Sequence, residues 1–357
     1  MRKIKYALIG FGGIAENRIA KEGFACDRNR FAPLEKAELI GAFDLNPARK
    51  AAAEALGLKW YSGIDKILAD PEAEAVYIAT NNLSHAPLAM EAMSAGKHVL
   101  VEKPLAATVS EAAALVQAAK EKKRSLSVDH MMVNNKLNVK AKELLDAGTL
   151  GTVNDSCFHM EFAYGYDPAE AGTWRCSKWE EMGGPIGDVA SHCFYMAEYL
   201  FGKKIREVAA VYLPKTMPIA VEDGAYIRFK MEDGMCGSVK VAFSELRGGL
   251  GGTLSNLGFE IYGTEAVLRS FGTMFQLSGY EDEPIPMRLE LDLFKSQKVF
   301  TGKDIPTRNI YQQVIEHHAE SILSEKYLDG DEGSRNVRIC YAAHESARNA
   351  GKWIAVE

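Results

Sequence analysis

A glycine-rich turn near the start of the chain limits the possible folds more than any other feature. The segment Gly10–Ala15 (GFGGIA) follows an apolar strand pattern and leads into a helical pattern. Its G-x-G-x-x-G/A spacing permits a tight turn, close approach of the backbone to a pyrophosphate, and close helix–strand packing. The helix N-terminus adds unpaired amides and the positive end of its dipole. The residues predicted to contact a dinucleotide here are Phe11, Gly12, Gly13 and Ile14.

The first part of the chain alternates short β-rich runs with helical patterns such as Pro47–Leu56 and Ser110–Lys122. Strands are predicted at Lys5–Ile9, Glu38–Phe43, Ala75–Ala79, Val99–Glu102 and Ser125–Val128. Nearly continuous apolar strands separated by helices predict a parallel sheet covered on both faces. Right-handed crossovers make such a sheet doubly wound. We therefore predict an α/β Rossmann domain over residues 1–129.

The pattern changes after residue 130. A long β-like stretch, Thr152–Phe162, is followed by a helical pattern near Asp188–Leu200. Longer strands come next, and a short hairpin turn containing Gly234 joins two of them. This arrangement is typical of an α+β domain with a large, mostly antiparallel, open-faced sheet, predicted over residues 130–357. The closing helical pattern, 311–353, is a candidate to pack back onto the first domain.

An acidic residue that binds the adenosine ribose is expected where the second strand ends. Asp44 occupies that place, and its carboxylate can accept from both ribose hydroxyls and repel a 2′-phosphate, which favours NAD over NADP. The separation between Gly12 and Asp44 is longer than the usual ~20 residues. We assign the additional residues to an elongated loop at Lys21–Lys36. The alternative is that Asp44 only caps the helix beginning at Pro47.

Composition excludes several classes of function. The net charge of −6 offers no basic excess for binding nucleic acid. The six cysteines form no Cys-x-x-Cys pair or zinc-ligand spacing, as expected of free thiols in a reducing compartment. The N-terminal apolar run is too short for a signal peptide, and no run approaches the ~18 residues of a membrane helix. We predict a soluble cytoplasmic protein without metal, nucleic-acid or membrane partners.

The segment Gly96–Leu105 (GKHVLVEKPL) resembles the signature of the glucose–fructose oxidoreductase / inositol dehydrogenase / rhizopine-catabolism family (Gfo/Idh/MocA). The resemblance extends to Ile78–Asn82, to Gly148–Gly151 and to Gly183–His192, and so spans nearly the whole chain. It implies an NAD(P)-dependent dehydrogenase acting on hydroxyl groups. The cofactor contacts that it implies come from Thr80, Asn81, Asn82, His85, Glu102 and Lys103. For His85, a purely structural role is an equal alternative.

Lys103 is the first catalytic candidate. It follows a parallel strand at the carboxyl end, where open α/β sheets bind their ligands, and Pro104 restricts its backbone to extended conformations. The resemblance implies that Lys103 contacts the nicotinamide ribose and the substrate hydroxyl, and it implies a cis bond before Pro104. A solvated surface lysine is the alternative.

Asp188 and His192 form the second candidate set. They lie four positions apart in a helical pattern and so share a face. The carboxylate can fix the tautomer of the imidazole or bind a substrate hydroxyl, and histidine suits proton transfer near neutral pH. The resemblance implies that His192 is the catalytic base and Asp188 its partner. The residues alone leave open an exposed aspartate and a structural histidine.

Substrate contacts are predicted for two further residues, Trp174 and Arg175, besides Lys103, Asp188 and His192. They stand where members of the family often recognise substrate, and an arginine can donate to several hydroxyls or to a carboxylate. Many relatives carry an Arg-Phe-x-Pro-like stretch early in the second domain, but 131–138 (MMVNNKLN) has no arginine. No substrate contact is transferred there.

The predicted reaction is the NAD-dependent oxidation of a secondary alcohol of a sugar, sugar derivative or cyclitol to a ketone, or the reverse. Two other functions stay open: an NAD-dependent glycosidase-type activity through transient oxidation, and a non-catalytic NAD-sensing protein. The antiparallel sheet would leave one apolar face to cover, which favours burial against another subunit, and the family resemblance implies a homodimer or homotetramer.

Overall fold

A computed structural model of the chain describes residues 2–245, 258–271, 287–304 and 309–357. The chain divides into two units, Met1–Met131 with Asn309–Val337, and Met132–Arg308 with Arg338–Glu357. The domain bounds 1–129 and 130–357 stay a prediction. Within the described ranges, no helix has both the length and the apolar character that crossing a membrane requires.

Six strands in the described part of the first unit form a parallel sheet in the order β3-β2-β1-β4-β5-β6. They are β1 (Ile4–Ile9), β2 (Ala37–Phe43), β3 (Lys59–Trp60), β4 (Ala75–Ile78), β5 (His98–Val101) and β6 (Leu126–Val128). The order runs outward from β1 in both directions, so the doubly wound parallel sheet is confirmed. The central strands β4 and β5 are buried throughout, as expected of strands covered on both faces. The order reverses between β1 and β4, where such sheets bind ligands.

Helices cover this sheet. They are a π-helix (Ala15–Gly23), a 3₁₀ turn (Pro47–Arg49), α1 (Lys50–Ala55), α2 (Ile64–Ala69), α3 (Asn82–Ser94) and α4 (Val109–Lys122). The start of α4 is fixed by a capping box, in which Thr108 accepts from the amide of Glu111 and the Glu111 carboxylate accepts in return. The loop expected at Lys21–Lys36 is shorter, because the first helix continues to Gly23.

Nine strands in the described part of the second unit form a mostly antiparallel sheet, in the order β14-β13-β12-β11-β7-β10-β9-β8-β15. The strands are β7 (Val153–Glu161), β8 (Ile205–Tyr212), β9 (Gly224–Met231), β10 (Cys236–Ala242), β11 (Gly258–Gly263), β12 (Ala266–Phe271), β13 (Arg288–Leu293), β14 (Ser296–Thr301) and β15 (Ile354–Ala355). Strands β7 and β10 pair in parallel. The predicted hairpin turn joins β9 to β10, with Gly234 at φ +89°.

One face of this sheet is covered by helices of the same unit. Helices α5 (Lys136–Asp146) and α8 (Ser191–Phe201), the latter preceded by a π-helical turn (Ile186–Ala190), contact the sheet, and the unit also contains the short helices α6 (Pro168–Ala171) and α7 (Trp174–Ser177). Phe158 and Met160 of β7 are fully buried beneath them, whereas the alternating residues Cys157 and His159 are only half-buried. The alternation is that of a sheet with one open face, which confirms the predicted open-faced α+β fold.

The C-terminal region, where a helical pattern was predicted over 311–353, contains two helices, α9 (Ile310–Leu323) and α10 (Asp331–Arg348). Helix α9 packs on the parallel sheet, where the Tyr6 hydroxyl lies 2.8 Å from Nδ1 of His318. Burial lowers the pKa of His318 to about 3, so the ring is neutral. Asn309 caps α9 and also donates to Glu22 at 3.0 Å. These bonds attach α9 to the first unit.

Candidate active site

The glycine turn after β1 has the geometry that close approach of a phosphate requires. Gly10 has φ +91°, and a Cβ atom there would lie 2.5 Å from the carbonyl oxygen of Ala79, so the position needs glycine. At Gly12 and Gly13, by contrast, an added Cβ would meet no described heavy atom within 4 Å. The turn therefore packs tightly against the end of β4 on one side and leaves its backbone accessible at the next two glycines. This arrangement fits a dinucleotide pyrophosphate.

Asp44, at the end of β2, is hydrogen-bonded to the glycine turn. Its Oδ2 accepts from the amide of Phe11 at 2.6 Å and its Oδ1 from the amide of Asn46 at 2.8 Å. The cap of the turn at Pro47 is Asn46, whose side chain accepts from the amide of Ala48. The capping alternative for Asp44 is therefore wrong. Each carboxylate oxygen has a second lone pair that can accept a ribose hydroxyl.

An ion pair that the sequence did not predict lies beside the same turn. Arg49 donates from Nε to the carbonyl of Phe11 at 2.7 Å and pairs with the carboxylate of Glu16. Lys21 donates to the other oxygen of Glu16 at 2.6 Å. Hydrogen bonding from Lys21, with the pairing to Arg49, lowers the pKa of Glu16. Residue spacing gave no signal for this contact, because residues distant in sequence form it.

Lys103 follows β5, at the carboxyl edge of the sheet, and the Lys103–Pro104 bond is cis. The Lys103 amide donates to the side chain of Glu102 at 3.2 Å. His85 is fully buried, with Nδ1 2.7 Å from the carbonyl oxygen of Pro104 and Nε2 3.3 Å from that of Thr80. These contacts support the structural role for His85, which holds the turn after Lys103 against the end of β4. Its contact with a cofactor stays a prediction.

Acidic and hydroxyl groups gather close to this turn. The hydroxyl of Tyr77 lies 2.5 Å from Asp129 and 3.5 Å from Glu102. Burial, with the negative charge of Glu102, raises the pKa of Asp129 well above its usual value. Burial, with the positive charge of Lys103, lowers the pKa of His130 to about 3. An acid whose pKa is raised and a neutral imidazole therefore follow β6. The sequence signal for them was a polar pair directly after an apolar strand.

Asp188 and His192 lie in the helical segment of the second unit, and only 3% and 1% of their surfaces are exposed. The exposed aspartate considered as an alternative is therefore wrong. Asp188 is 3.2 Å from Nε of Arg175, whose guanidinium lies 4.7 Å from the ring centroid of Trp174. The charge of Asp188 raises the pKa of Arg175. The three predicted residues Trp174, Arg175 and Asp188 thus form one cluster.

His192 has a hydrogen-bond partner that sequence reasoning missed. Its Nδ1 lies 2.7 Å from the hydroxyl of Tyr195, one helical turn further along α8. The i, i+3 spacing was the signal that could have identified it. The hydroxyl fixes the orientation of the imidazole ring. A direct role of Asp188 as the partner of His192 stays a prediction.

The predicted site residues therefore fall into two groups. In the first unit, Thr80 and Asn81 follow β4 and Asn82 opens α3, at the edge of the sheet that carries the glycine turn. Gly10 is close enough to this edge that an added Cβ would lie 3.0 Å from Cγ2 of Thr80. In the second unit, the predicted residues are the Arg175–Asp188 pair with Trp174 beside it, and the buried imidazole of His192.

Known proteins resemble the chain over both units. A family model described as an oxidoreductase family with an NAD-binding Rossmann fold, GFO/IDH/MocA, matches residues 4–130, and the GFO/IDH/MocA C-terminal domain matches residues 138–269. The 1,5-anhydro-D-fructose reductase of Ensifer adhaerens is 29% identical over 61% of this chain and 63% of its own. Levoglucosan dehydrogenase of Pseudarthrobacter phenanthrenivorans is 30% identical over 61% and 59%. The chain thus spans about three fifths of the length of these curated relatives.

Solved structures share the fold over the whole chain. The aldose-aldose oxidoreductase from Caulobacter crescentus, complexed with glycerol, has a TM-score of 0.83 and 24% identity, and the match covers 99% of this chain and 100% of that one. A levoglucosan dehydrogenase in complex with NADH and levoglucosan has a TM-score of 0.79 and 24% identity, with 100% of both chains covered. These likenesses show the fold, and the two family matches show that the chain belongs to the GFO/IDH/MocA oxidoreductase family.

Proposed function

We propose that the chain is an NAD-dependent dehydrogenase that interconverts a secondary alcohol of a sugar, sugar derivative or cyclitol and the corresponding ketone. The observation that carries the proposal is the burial of His192 and Asp188 in a chain whose first unit presents a dinucleotide turn. Bound NAD would supply the hydride acceptor. The protein supplies the proton acceptor, the electrostatic field and the orientation of the substrate.

Each residue of the proposed site has a distinct role in this reaction. His192 removes the hydroxyl proton, and Tyr195 holds the imidazole in the orientation needed. Lys103 stabilises the negative charge that develops on the substrate oxygen. Arg175 donates to neighbouring hydroxyls of the substrate, and Asp188 positions Arg175. The groups act together only if the nicotinamide and the substrate hydroxyl lie between Lys103 and His192.

The charges of the proposed site favour an uncharged substrate. The carboxylate of Asp188 compensates the guanidinium of Arg175, so this pair offers no net positive charge to an anion. The names of two relatives, levoglucosan dehydrogenase and 1,5-anhydro-D-fructose reductase, also point to sugars without acidic groups. We therefore place neutral sugars and cyclitols ahead of sugar acids.

A screen of cofactor reduction tests the proposal. Purified protein is mixed with NAD or NADP and with inositols, aldoses, anhydrosugars, glycosides or sugar acids, and NADH or NADPH formation is followed spectroscopically. The proposal expects NADH to accumulate over many turnovers with a neutral polyol. Cleavage of a glycoside without accumulation of NADH would contradict it and support the glycosidase alternative. Tight NADH binding without turnover of any compound would support the sensor.

Asp44 is expected to determine the cofactor at its adenosine end. Asp44→Ser should weaken NADH binding about tenfold and strengthen NADPH binding, because it removes an acceptor for the ribose hydroxyls and a charge that repels a 2′-phosphate. Dissociation constants from fluorescence titration check this. Asp65→Asn, which removes an exposed charge from α2, is the matched control. Unchanged affinities in Asp44→Ser would contradict the role.

The open face of the sheet supports a second expectation, that the chain forms a homodimer or homotetramer. Val211 and Tyr226, cross-strand neighbours on this face, are 49% and 52% exposed, and Val299 is 45% exposed. Exposed apolar side chains on one broad face favour burial against another copy. Light scattering should give a solution mass at micromolar concentration of two or four chains. A monomer under those conditions would contradict the expectation.

A further inference from the structure

One peptide unit of the glycine turn lies between two opposite charges. The amide of Phe11 donates to Asp44, and the carbonyl of the same residue accepts from Arg49. The Arg49 guanidinium also lies 5.8 Å from the centroid of the Phe11 ring. A carboxylate suited to ribose hydroxyls and a guanidinium suited to a phosphate therefore stand on either side of one residue.

Arg49 is held in this place by Glu16. The carboxylate of Glu16 pairs with Arg49 through one oxygen and with Lys21 through the other, so it is ionised at neutral pH. The side chains of Glu16 and Arg49 are 18% and 30% exposed, so solvent only partly screens their interaction. Part of the hydrogen-bonding capacity of Arg49 is thus directed at Glu16 and at the carbonyl of Phe11.

We propose that Glu16 is a specificity-determining residue that keeps Arg49 from binding the 2′-phosphate of NADP. In Rossmann folds an arginine near the end of the second strand accommodates that phosphate, and its planar fork matches phosphate oxygens. Arg49 lies near the end of β2, next to Phe11, which Asp44 contacts, but one of its terminal nitrogens, Nη2, already pairs with the ionised carboxylate of Glu16. The chain thus carries a latent site for a phosphate monoester. This inference rests on the proposed dinucleotide-dependent function.

Substitution of Glu16 tests the inference by binding alone, without knowledge of the substrate. The dissociation constants of NADH and NADPH are measured by fluorescence titration for the wild type, Glu16→Gln, and Glu16→Gln with Arg49→Gln. Glu54→Gln is the control, since it makes the same change in net charge in the adjacent helix α1, where Glu54 pairs with Lys50. We expect Glu16→Gln to bind NADPH about tenfold more tightly, because a charge-assisted contact to phosphate becomes available.

The remaining outcomes separate the inference from simpler explanations. The gain in NADPH affinity should disappear in the double variant and should be absent in Glu54→Gln. The NADH affinity of Glu16→Gln should stay within about twofold of that of the wild type. A gain that survives Arg49→Gln, an equal gain in Glu54→Gln, or no gain would overturn the inference. Loss of NADH binding in Glu16→Gln would overturn the inference as well. The inference gives Glu16 no contact with the part of the molecule that NADH and NADPH share. A wild-type protein that binds neither dinucleotide would instead refute the proposed function.

Discussion

Lys103→Met should lower kcat/KM about a thousandfold, while the dissociation constant of NADH changes only a few-fold. Lys103 follows β5 at the carboxyl edge of the sheet, and its proposed role is to stabilise the negative charge that develops on the substrate oxygen. Methionine retains the length of the side chain but cannot stabilise that charge. The effect belongs to the transition state, so kcat should fall more than KM rises. Steady-state kinetics with the substrate found in the screen, together with NADH titration, measure both quantities.

Two further variants separate chemistry from folding at this position. Lys103→Arg keeps the positive charge and should recover part of the lost activity, although a guanidinium cannot reproduce the geometry of an ammonium. Lys66→Met removes an exposed lysine of α2 and should behave as the wild type. Activity of Lys103→Met within about tenfold of the wild type would show that Lys103 does not stabilise the reacting oxygen.

His192→Gln should lower kcat/KM by about a thousandfold, since general-base catalysis contributes factors of this size. Glutamine retains a hydrogen-bonding group in a site that is 1% exposed, so the loss reports on proton transfer more than on packing. In the wild type, kcat/KM should rise as the pH rises and the base loses its proton. If His192 is that base, this rise should be absent in His192→Gln. Replacement of a purely structural histidine would leave the shape of the pH profile unchanged.

Tyr195→Phe is the matched variant for His192. It removes the hydroxyl 2.7 Å from Nδ1 and keeps the aromatic ring, so the imidazole loses its orienting contact but stays in place. We expect a loss of about tenfold, with the pH profile retained but shifted. A His192→Gln protein that keeps both its activity and the pH dependence of the wild type would exclude His192 as the base.

The sequence predicted those parts of the fold that are encoded locally. The buried strands of the parallel sheet are continuous apolar runs, and Gly10 is required by its backbone angle and by the proximity of Ala79. It did not predict β3, which has only two residues, or the short helix α2, because neither contains a full hydrophobic period. It also gave no indication of the π-helical geometry at Ala15–Gly23 and Ile186–Ala190, since a hydrophobic pattern does not distinguish helix types.

The candidate site was predictable residue by residue but not contact by contact. The types and places of Asp44, Lys103 and His192 followed from the motifs and from the family resemblance. The contact of Arg49 with Phe11 did not, because the two residues meet only through the fold. The contact of Tyr195 with His192 had a signal in the i, i+3 spacing, but that spacing alone does not show that the two side chains bond. The pairing of Asp188 with Arg175 likewise joins two short segments that no spacing rule connects.

A crystal structure of the protein with NAD and a neutral polyol identified by the screen tests the central claim most directly. The account predicts that the pyrophosphate lies on the amides of Gly12 and Gly13. It also predicts that Lys103 Nζ and the imidazole of His192 both lie within about 3 Å of one substrate hydroxyl, beside the nicotinamide ring. A lysine and an imidazole that face different cavities, or a pyrophosphate bound away from the glycine turn, would contradict it.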